Sequence, residues 1–280
     1  MSIDDKTSQA IEEVKGAEAL LITAGAGMGV DSGLPDFRGT EGFWRAYPAI
    51  AKLGLSFIDM ADPSWFREDP YLAWAFYGHR LNLYRATVPH KGFQQLLELG
   101  AKMSRGFFVF TSNVDGQFQK AGFAEERMVE CHGSIHHFQC TTNCTRAIWD
   151  ASQEQVNVNA EEFLAVDPLP RCKHCRSLAR PNILMFEDGH WLGARSRSQA
   201  ERLHNWLDEL RAAPARLVVI ELGAGTAVET VRHTSESALY KVEGTLIRIN
   251  PREDAVRPGQ IGIPLGAAEG IQRIYDGVRT

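Results

Sequence analysis

Four cysteines fall into two close pairs, Cys140-x3-Cys144 and Cys172-x2-Cys175, among Thr, Asn, Lys, His and Arg residues. Each pair brings two thiolates within reach of one tetrahedral zinc. Two pairs complete a closed site that holds local structure and leaves no position open for catalysis. The polar flanks are not core composition, which weighs against the alternative of four reduced, packed cysteines. His174, between Cys172 and Cys175, is a rival ligand. Residues 145–171 separate the pairs, longer than the usual ribbon spacing, so they must make a real excursion. Cys131 is the odd one out and reads as a small buried residue.

Glu130-Cys131-His132-Gly133-Ser134 offers a second kind of chemistry. An imidazole titrates near neutrality and can serve as a general base. Position alone does not single out His132 among nine histidines, and His136 and His137 read as structural. A third candidate is the glycine run Gly25, Gly27 and Gly29, which follows the short apolar stretch Ala19–Thr23. A strand that ends in glycines can bring backbone N–H groups up to a pyrophosphate. Val30 stands where Gly-x-Gly-x-x-Gly requires glycine, so the run by itself is equally a tight strand-to-helix turn. Pro35 makes a poor helical continuation. Asp36, Phe37 and Arg38 therefore fall on a loop able to wrap a ligand.

Several elements must position these groups. A short helix is expected over Thr7–Lys15, and apolar strands over Ala19–Thr23, Phe107–Thr111, Leu217–Leu222 and Leu246–Asn250. The strands deliver Ser112-Asn113-Val114-Asp115-Gly116, Gly223-Ala224-Gly225-Thr226 and Asn250 to their carboxyl ends, where open α/β sheets place ligands. Read alone, the stretch after Thr111 is also an ordinary polar turn. Residues from Glu41 to about Gly100 lack alternation and read as a mostly helical cap, with helices over Ile50–Ala61, Tyr71–Ala86 and Lys91–Lys102. Leu203, Trp206, Leu207 and Leu210 mark a helix before the third strand, and another closes the chain from about Ala267 to Val278.

The bulk numbers fit. A chain of 280 residues can bury a sizeable core, as one large domain with an insert or as two domains. The formal net charge of -5 argues against nucleic acid as the main partner, because phosphate binding needs clustered Lys and Arg. No apolar run is long enough to span a membrane. The polar start, Met1-Ser2-Ile3-Asp4-Asp5-Lys6, lacks a secretory apolar core, and a cytoplasmic location is expected.

Gly25-Ala26-Gly27-Met28-Gly29-Val30-Asp31-Ser32-Gly33-Leu34-Pro35-Asp36-Phe37-Arg38 resembles the first NAD-binding signature of the sirtuins, the NAD-dependent protein deacylases. Gly29 stands where that family usually has serine. Thr111-Ser112-Asn113-Val114-Asp115 is similar to the second signature, Thr-Gln-Asn-Ile-Asp, and His132-Gly133 to the catalytic His-Gly. Gly223-Ala224-Gly225-Thr226-Ala227-Val228 stands at the family's Gly-Thr-Ser-x-x-Val. Asn250 matches the residue near the adenine ribose. Arg180 to Asp188 resembles the segment that pairs with the acylated peptide, with Glu187 in place of glycine after Phe186. The motifs run in family order from about residue 18 to 275.

The resemblance implies a doubly wound, Rossmann-like parallel sheet with a small module of helical cap and zinc ribbon. The NAD-binding domain would comprise 1–43, 105–136 and 179–280, with the cap at 44–104 and the zinc-ribbon insert at 137–178. NAD would be co-substrate, held by Gly25, Ala26, Gly27, Asp36, Phe37, Arg38, Ser112, Asn113, Asp115, Gly223, Gly225, Thr226 and Asn250. His132, with Asn113 and Asp115, would act in catalysis, and Cys140, Cys144, Cys172 and Cys175 would hold one structural zinc. The partner would be an acyl-lysine protein or peptide, bound in part by Phe186, and the products nicotinamide and O-acyl-ADP-ribose. Tyr77-x-x-Arg80 resembles the pattern of sirtuins that prefer succinyl or malonyl groups. A guanidinium takes a carboxylate bidentately, and i and i+3 share a helix face. Read alone, the same two residues equally pack the cap surface. Two other functions compete: protein mono-ADP-ribosyl transfer or NAD hydrolysis in the same pocket, and a non-catalytic NAD or ADP-ribose sensor.

Overall fold

The computed structural model describes residues 2–35 and 39–280. Among them are eleven strands: β1 (Ala19–Ala24), β2 (Phe107–Thr111), β3 (Met128–Glu130), β4 (Gly133–Cys140), β5 (Ile148–Asp150), β6 (Asn157–Asn159), β7 (Leu164–Val166), β8 (Ala179–Ile183), β9 (Leu217–Leu222), β10 (Gly244–Ile249) and β11 (Ile261–Ile263). Six of them form a sheet in the order β11-β10-β9-β1-β2-β3, and every pairing in it is parallel. The chain builds outward from β1 to β3, then returns and builds the other way from β9 to β11. The reversal lies between β1 and β9, the kind of place where such sheets bind ligands. Register sets Ala24 beside both Thr111 and Leu222, so the turns after β1, β2 and β9 start at one level.

Period-two alternation separates the sheet's two faces. Leu20, Ile22 and Ala24 pack with Val109, Val218, Ile220 and the helical residues Ala10, Val14, Phe93, Leu96, Ile271 and Ile274. Ala19 and Leu21 pack the other way, with Phe108, Val219, Leu203, Trp206, Leu207 and Leu210. All six residues of β1 are buried, as expected of a strand covered by helices on both sides. The Lys91–Ala101 helix, expected in the cap, supplies Phe93, Leu96 and Leu99 to the sheet's own core.

A second core holds the small module together. Phe43, Tyr47, Ile50, Trp74, Phe76 and Tyr77 from the cap meet Ile135, Phe138, Val156, Phe163, Ala179 and Ile183 from the insert and its flanking strands. Those strands form a three-stranded antiparallel sheet, β5-β4-β8. Cap and insert thus share one interior.

Helix boundaries follow local chemistry. The first helix starts at Ile3, ahead of the expected Thr7, because Ser2 and Asp5 cap it reciprocally, a device worth about 1 kcal/mol. The single helix expected over Ile50–Ala61 is instead two short ones, Pro48–Lys52 and Phe57–Met60. The chain turns after Leu53, and Ser56 with Asp59 caps the second piece. The Pro70–Ala86 helix matches its expectation closely; Asp69 caps it by accepting from the Leu72 N–H.

Candidate functional site

The glycine turns after β1 and β9 lie directly on one another. The Gly27 N–H donates to the Gly223 carbonyl at 3.1 Å, and the Gly25 N–H to Leu222 at 2.9 Å. A Cβ on Gly27 would lie 2.6 Å from Gly223 Cα, and Gly223 itself sits at φ +58°. Only glycine on both sides allows this approach without a shift of backbone. Ala26 is exposed at the tip. Beside the turns lies a cleft of about 130 Å³, lined by Gly27, Val30, Asp31, Gly223, Pro251 and Arg252 among others. The paired glycine turns stand at the sheet's reversal point, where open α/β sheets receive a diphosphate. Asp36, Phe37 and Arg38 lie outside the described residues.

The loop after β2 is tied to the first turn. Asn113 Nδ2 donates to the Gly25 carbonyl at 2.9 Å, and the Ser112 N–H to Ala24 at 3.1 Å. Asp115 is buried and accepts from the Gln117 N–H at 2.9 Å. Burial pushes its carboxyl up to about 6; the Gln117 N–H and Arg80 oppose the rise, and Glu130 adds to it. On the far side, Thr226 is exposed and donates to Glu253 at 2.7 Å. Asn250 is fully buried. It donates to the Ala224 carbonyl and accepts from the N–H groups of Arg252 and Glu253. Its amide fixes the walls of the cleft from within.

His132 stands on the link between β3 and β4, where the chain leaves the parallel sheet for the small module. Burial lowers its imidazole below the ordinary histidine range, with a backbone hydrogen bond at Ser112 acting the other way. Its carbonyl accepts from the Leu184 N–H at 2.9 Å. The next residue, Gly133, has φ +79°, and a Cβ there would lie 2.0 Å from the Asn182 carbonyl oxygen. A glycine is therefore required for β8 to pass beside the histidine. Burial pushes the neighbouring Cys131 thiol up to about 12, which leaves it an unreactive thiol at neutral pH.

Facing the histidine is the Leu184–Asp188 segment. Leu184 and Phe186 are 38% and 40% exposed, just beyond the end of β8 and of its pairing with β4. The Phe186 N–H donates to Ala61 of the cap, and its ring meets Phe57 edge-on. Glu187 adopts φ +54°, the region that favours glycine. The turn persists because Asp188 pairs with Arg180 at 2.7 Å, both side chains being almost fully buried. Seven residues lie between the two partners, and no spacing rule marks them as a pair.

The Tyr77 and Arg80 side chains do come together, inside the cap and not on its surface. Arg80 lies against the rings of Phe57, Phe76, Tyr77 and Tyr84, 5.2–5.8 Å from their centroids. Tyr77 is stacked on Phe66, and its buried hydroxyl has no hydrogen-bond partner among the described residues. Sequence reading passed over Tyr84, although 77, 80 and 84 follow the i, i+3, i+7 spacing of one helix face.

The four cysteines converge. Their Sγ atoms lie within 4.8 Å of one another, with Cys140–Cys175 and Cys144–Cys172 both at 3.6 Å. A tetrahedron with Zn–S of about 2.3 Å has edges of about 3.8 Å, so the set fits a structural zinc. His174 is absent from the cluster formed by the described residues.

Comparison with known proteins agrees with this geometry. The model of the Sir2 family matches residues 25–219. An NAD-dependent protein deacylase of Thermococcus sibiricus is 30% identical over 241 residues, covering 85% of this chain and 83% of the relative. One of Pyrococcus furiosus is 34% identical over 172 residues, 61% of this chain and 62% of its own. A Sir2 homologue mutant in complex with 2'-O-acetyl ADP ribose superposes with a TM-score of 0.72 at 25% identity, over 97% of this chain and 96% of that one. No helix among the described residues is long and apolar enough to cross a membrane. From the glycine turns to the cysteine cluster, motif order, fold and matched relatives agree: the chain belongs to the Sir2 family.

Proposed function

We propose that the protein is an NAD-dependent protein-lysine deacylase that favours acidic acyl groups, releasing nicotinamide and O-acyl-ADP-ribose. One observation carries the reading. The two glycine turns and the loop carrying Asn113 and Asp115 start at a common level of the sheet, with His132 on the link between β3 and β4 that leads into the small module. NAD, when bound, supplies an electrophilic ribose carbon whose leaving group is nicotinamide.

The chain does the rest. Gly25, Ala26, Gly27, Gly223, Gly225 and Thr226 receive the diphosphate, and Asn250 keeps the adenine-ribose end of the cleft in shape. Ser112, Asn113 and Asp115 line the nicotinamide end, while Asp36, Phe37 and Arg38 shield it from water. His132, kept neutral by burial, accepts a proton from a ribose hydroxyl. Phe186 and its neighbours hold the peptide as an added strand. Tyr77 and Arg80 read the acyl carboxylate. The packing supports a division in which residues 91–104 join the NAD-binding module and β8 joins the small one.

Nicotinamide release with a panel of acylated peptides, followed by mass spectrometry of the products, tests the proposal. O-acyl-ADP-ribose and its loss in His132→Ala are expected. ADP-ribosylated protein, or free ADP-ribose without deacylated peptide, would point instead to transfer or NAD hydrolysis.

A further inference from the structure

Arg80 donates through Nε to the Tyr84 hydroxyl at 3.0 Å, one helical turn further along Pro70–Ala86. Both residues are buried, Arg80 6% and Tyr84 5% exposed. An arginine has several rotatable bonds, and a ring of aromatic faces restricts its depth without fixing the plane of its fork. A hydrogen bond at Nε does fix that plane, since the guanidinium is rigid and its donor directions are set together.

Tyr84 is itself anchored. Its carbonyl accepts from Gln117 Nε2 at 3.1 Å, and the Gln117 N–H donates to Asp115. These bonds tie the backbone at Tyr84 to the loop that carries Asp115, while its hydroxyl holds Arg80. Its helix is clamped from the opposite side by the excursion between the cysteine pairs. Asn82 Nδ2 donates to Val156, and Arg85 donates to Glu154 and Ala151. A Cβ on Gly78 would lie 2.4 Å from Val156 Cγ1. Gly78 sits between Tyr77 and Arg80, so the chain at Val156, just before β6, presses on the turn that carries both. Burial also raises the Tyr84 pKa, and the phenol stays protonated and able to accept at neutral pH.

We infer that Tyr84 is a positioning residue for acyl selection: its hydroxyl orients the Arg80 guanidinium for a carboxylate at the end of the acyl chain. The inference rests on the reading of Arg80 given above. Nothing in the Tyr-x-x-Arg spacing calls for a phenol at position 84; it follows from the bond at Nε.

Tyr84→Phe removes one oxygen and keeps the ring, which isolates the bond from the packing. The readout is the ratio of kcat/KM for a succinyl-lysine peptide to that for the acetyl-lysine peptide of the same sequence. With the loss of a hydrogen bond to a charged group, that ratio should fall about ten-fold, mostly through KM for the succinyl peptide. Arg80→Met, measured in parallel, should lower it about a hundred-fold. If Arg80→Met lowers the ratio and Tyr84→Phe leaves it unchanged, the positioning role is overturned and the Arg80 reading stands. If Arg80→Met leaves the ratio unchanged, both are overturned. A Tyr84→Phe variant that loses both substrates in proportion reports damage to the fold and also overturns the role.

Discussion

Glu187 provides the most exposed test of the local physics. Its backbone lies at φ +54°, and its side chain is exposed. Replacing it with glycine removes no packing. An L-residue in the left-handed region costs about 1–2 kcal/mol. Glycine relieves that cost but gives back up to about 1 kcal/mol through the greater freedom of the unfolded chain. The native-state term is the larger, so Glu187→Gly should stabilise by about 0.5–1 kcal/mol. At this chain length that is a rise in Tm of roughly 1–2 °C. Thermal unfolding followed by circular dichroism, with both proteins scanned together, is sufficient to see it. The direction of the turn is set by the Arg180–Asp188 pair, so KM for an acylated peptide should move less than about three-fold, below 1 kcal/mol. A lower Tm for the variant would refute the claim that the backbone there is strained.

Three further outcomes are expected. Asp188→Ala strands a buried Arg180 and should destabilise by about 3–5 kcal/mol; urea unfolding checks this, and a loss below about 1 kcal/mol would contradict the buried pairing. The acid limb of log(kcat/KM) should lie below pH 6.5, because His132 must be neutral and burial lowers its pKa. Asp115, pushed up to about 6, loses its charge over the same range, so the limb should approach a slope of two in wild type and one in Asp115→Asn. Removing metal with a chelator should release about one zinc per chain and lower Tm, because β6 and β7 pack on the helix that carries Arg80; metal analysis alongside calorimetry checks both.

Much of the scaffold was legible because its signals are local. Phe107–Thr111 and Leu217–Leu222 are apolar runs long enough to read as buried strands, and they occupy the expected bounds. Cysteine spacing indicated a cluster that the fold then closes. Other features depend on distant partners. β3 and β11 are three residues each, too short for a periodic signal, and exist through pairing with β2 and β10. The Lys91–Ala101 helix is amphipathic wherever it packs, and its sequence does not say against which core. The left-handed backbone of Glu187 is imposed by the Asp188–Arg180 pair, which no spacing rule reveals. Tyr84 shows the same limit at the site: its helical position was readable, its bond to Arg80 was not.

The most direct test of the central claim is the stoichiometry of one reaction. Purified, zinc-loaded protein is incubated with NAD and a succinyl-lysine peptide, and nicotinamide and deacylated peptide are quantified together by chromatography. The account predicts equal amounts of the two, with both lost in His132→Ala. Nicotinamide formed without deacylated peptide, or His132→Ala working at the wild-type rate, would contradict it.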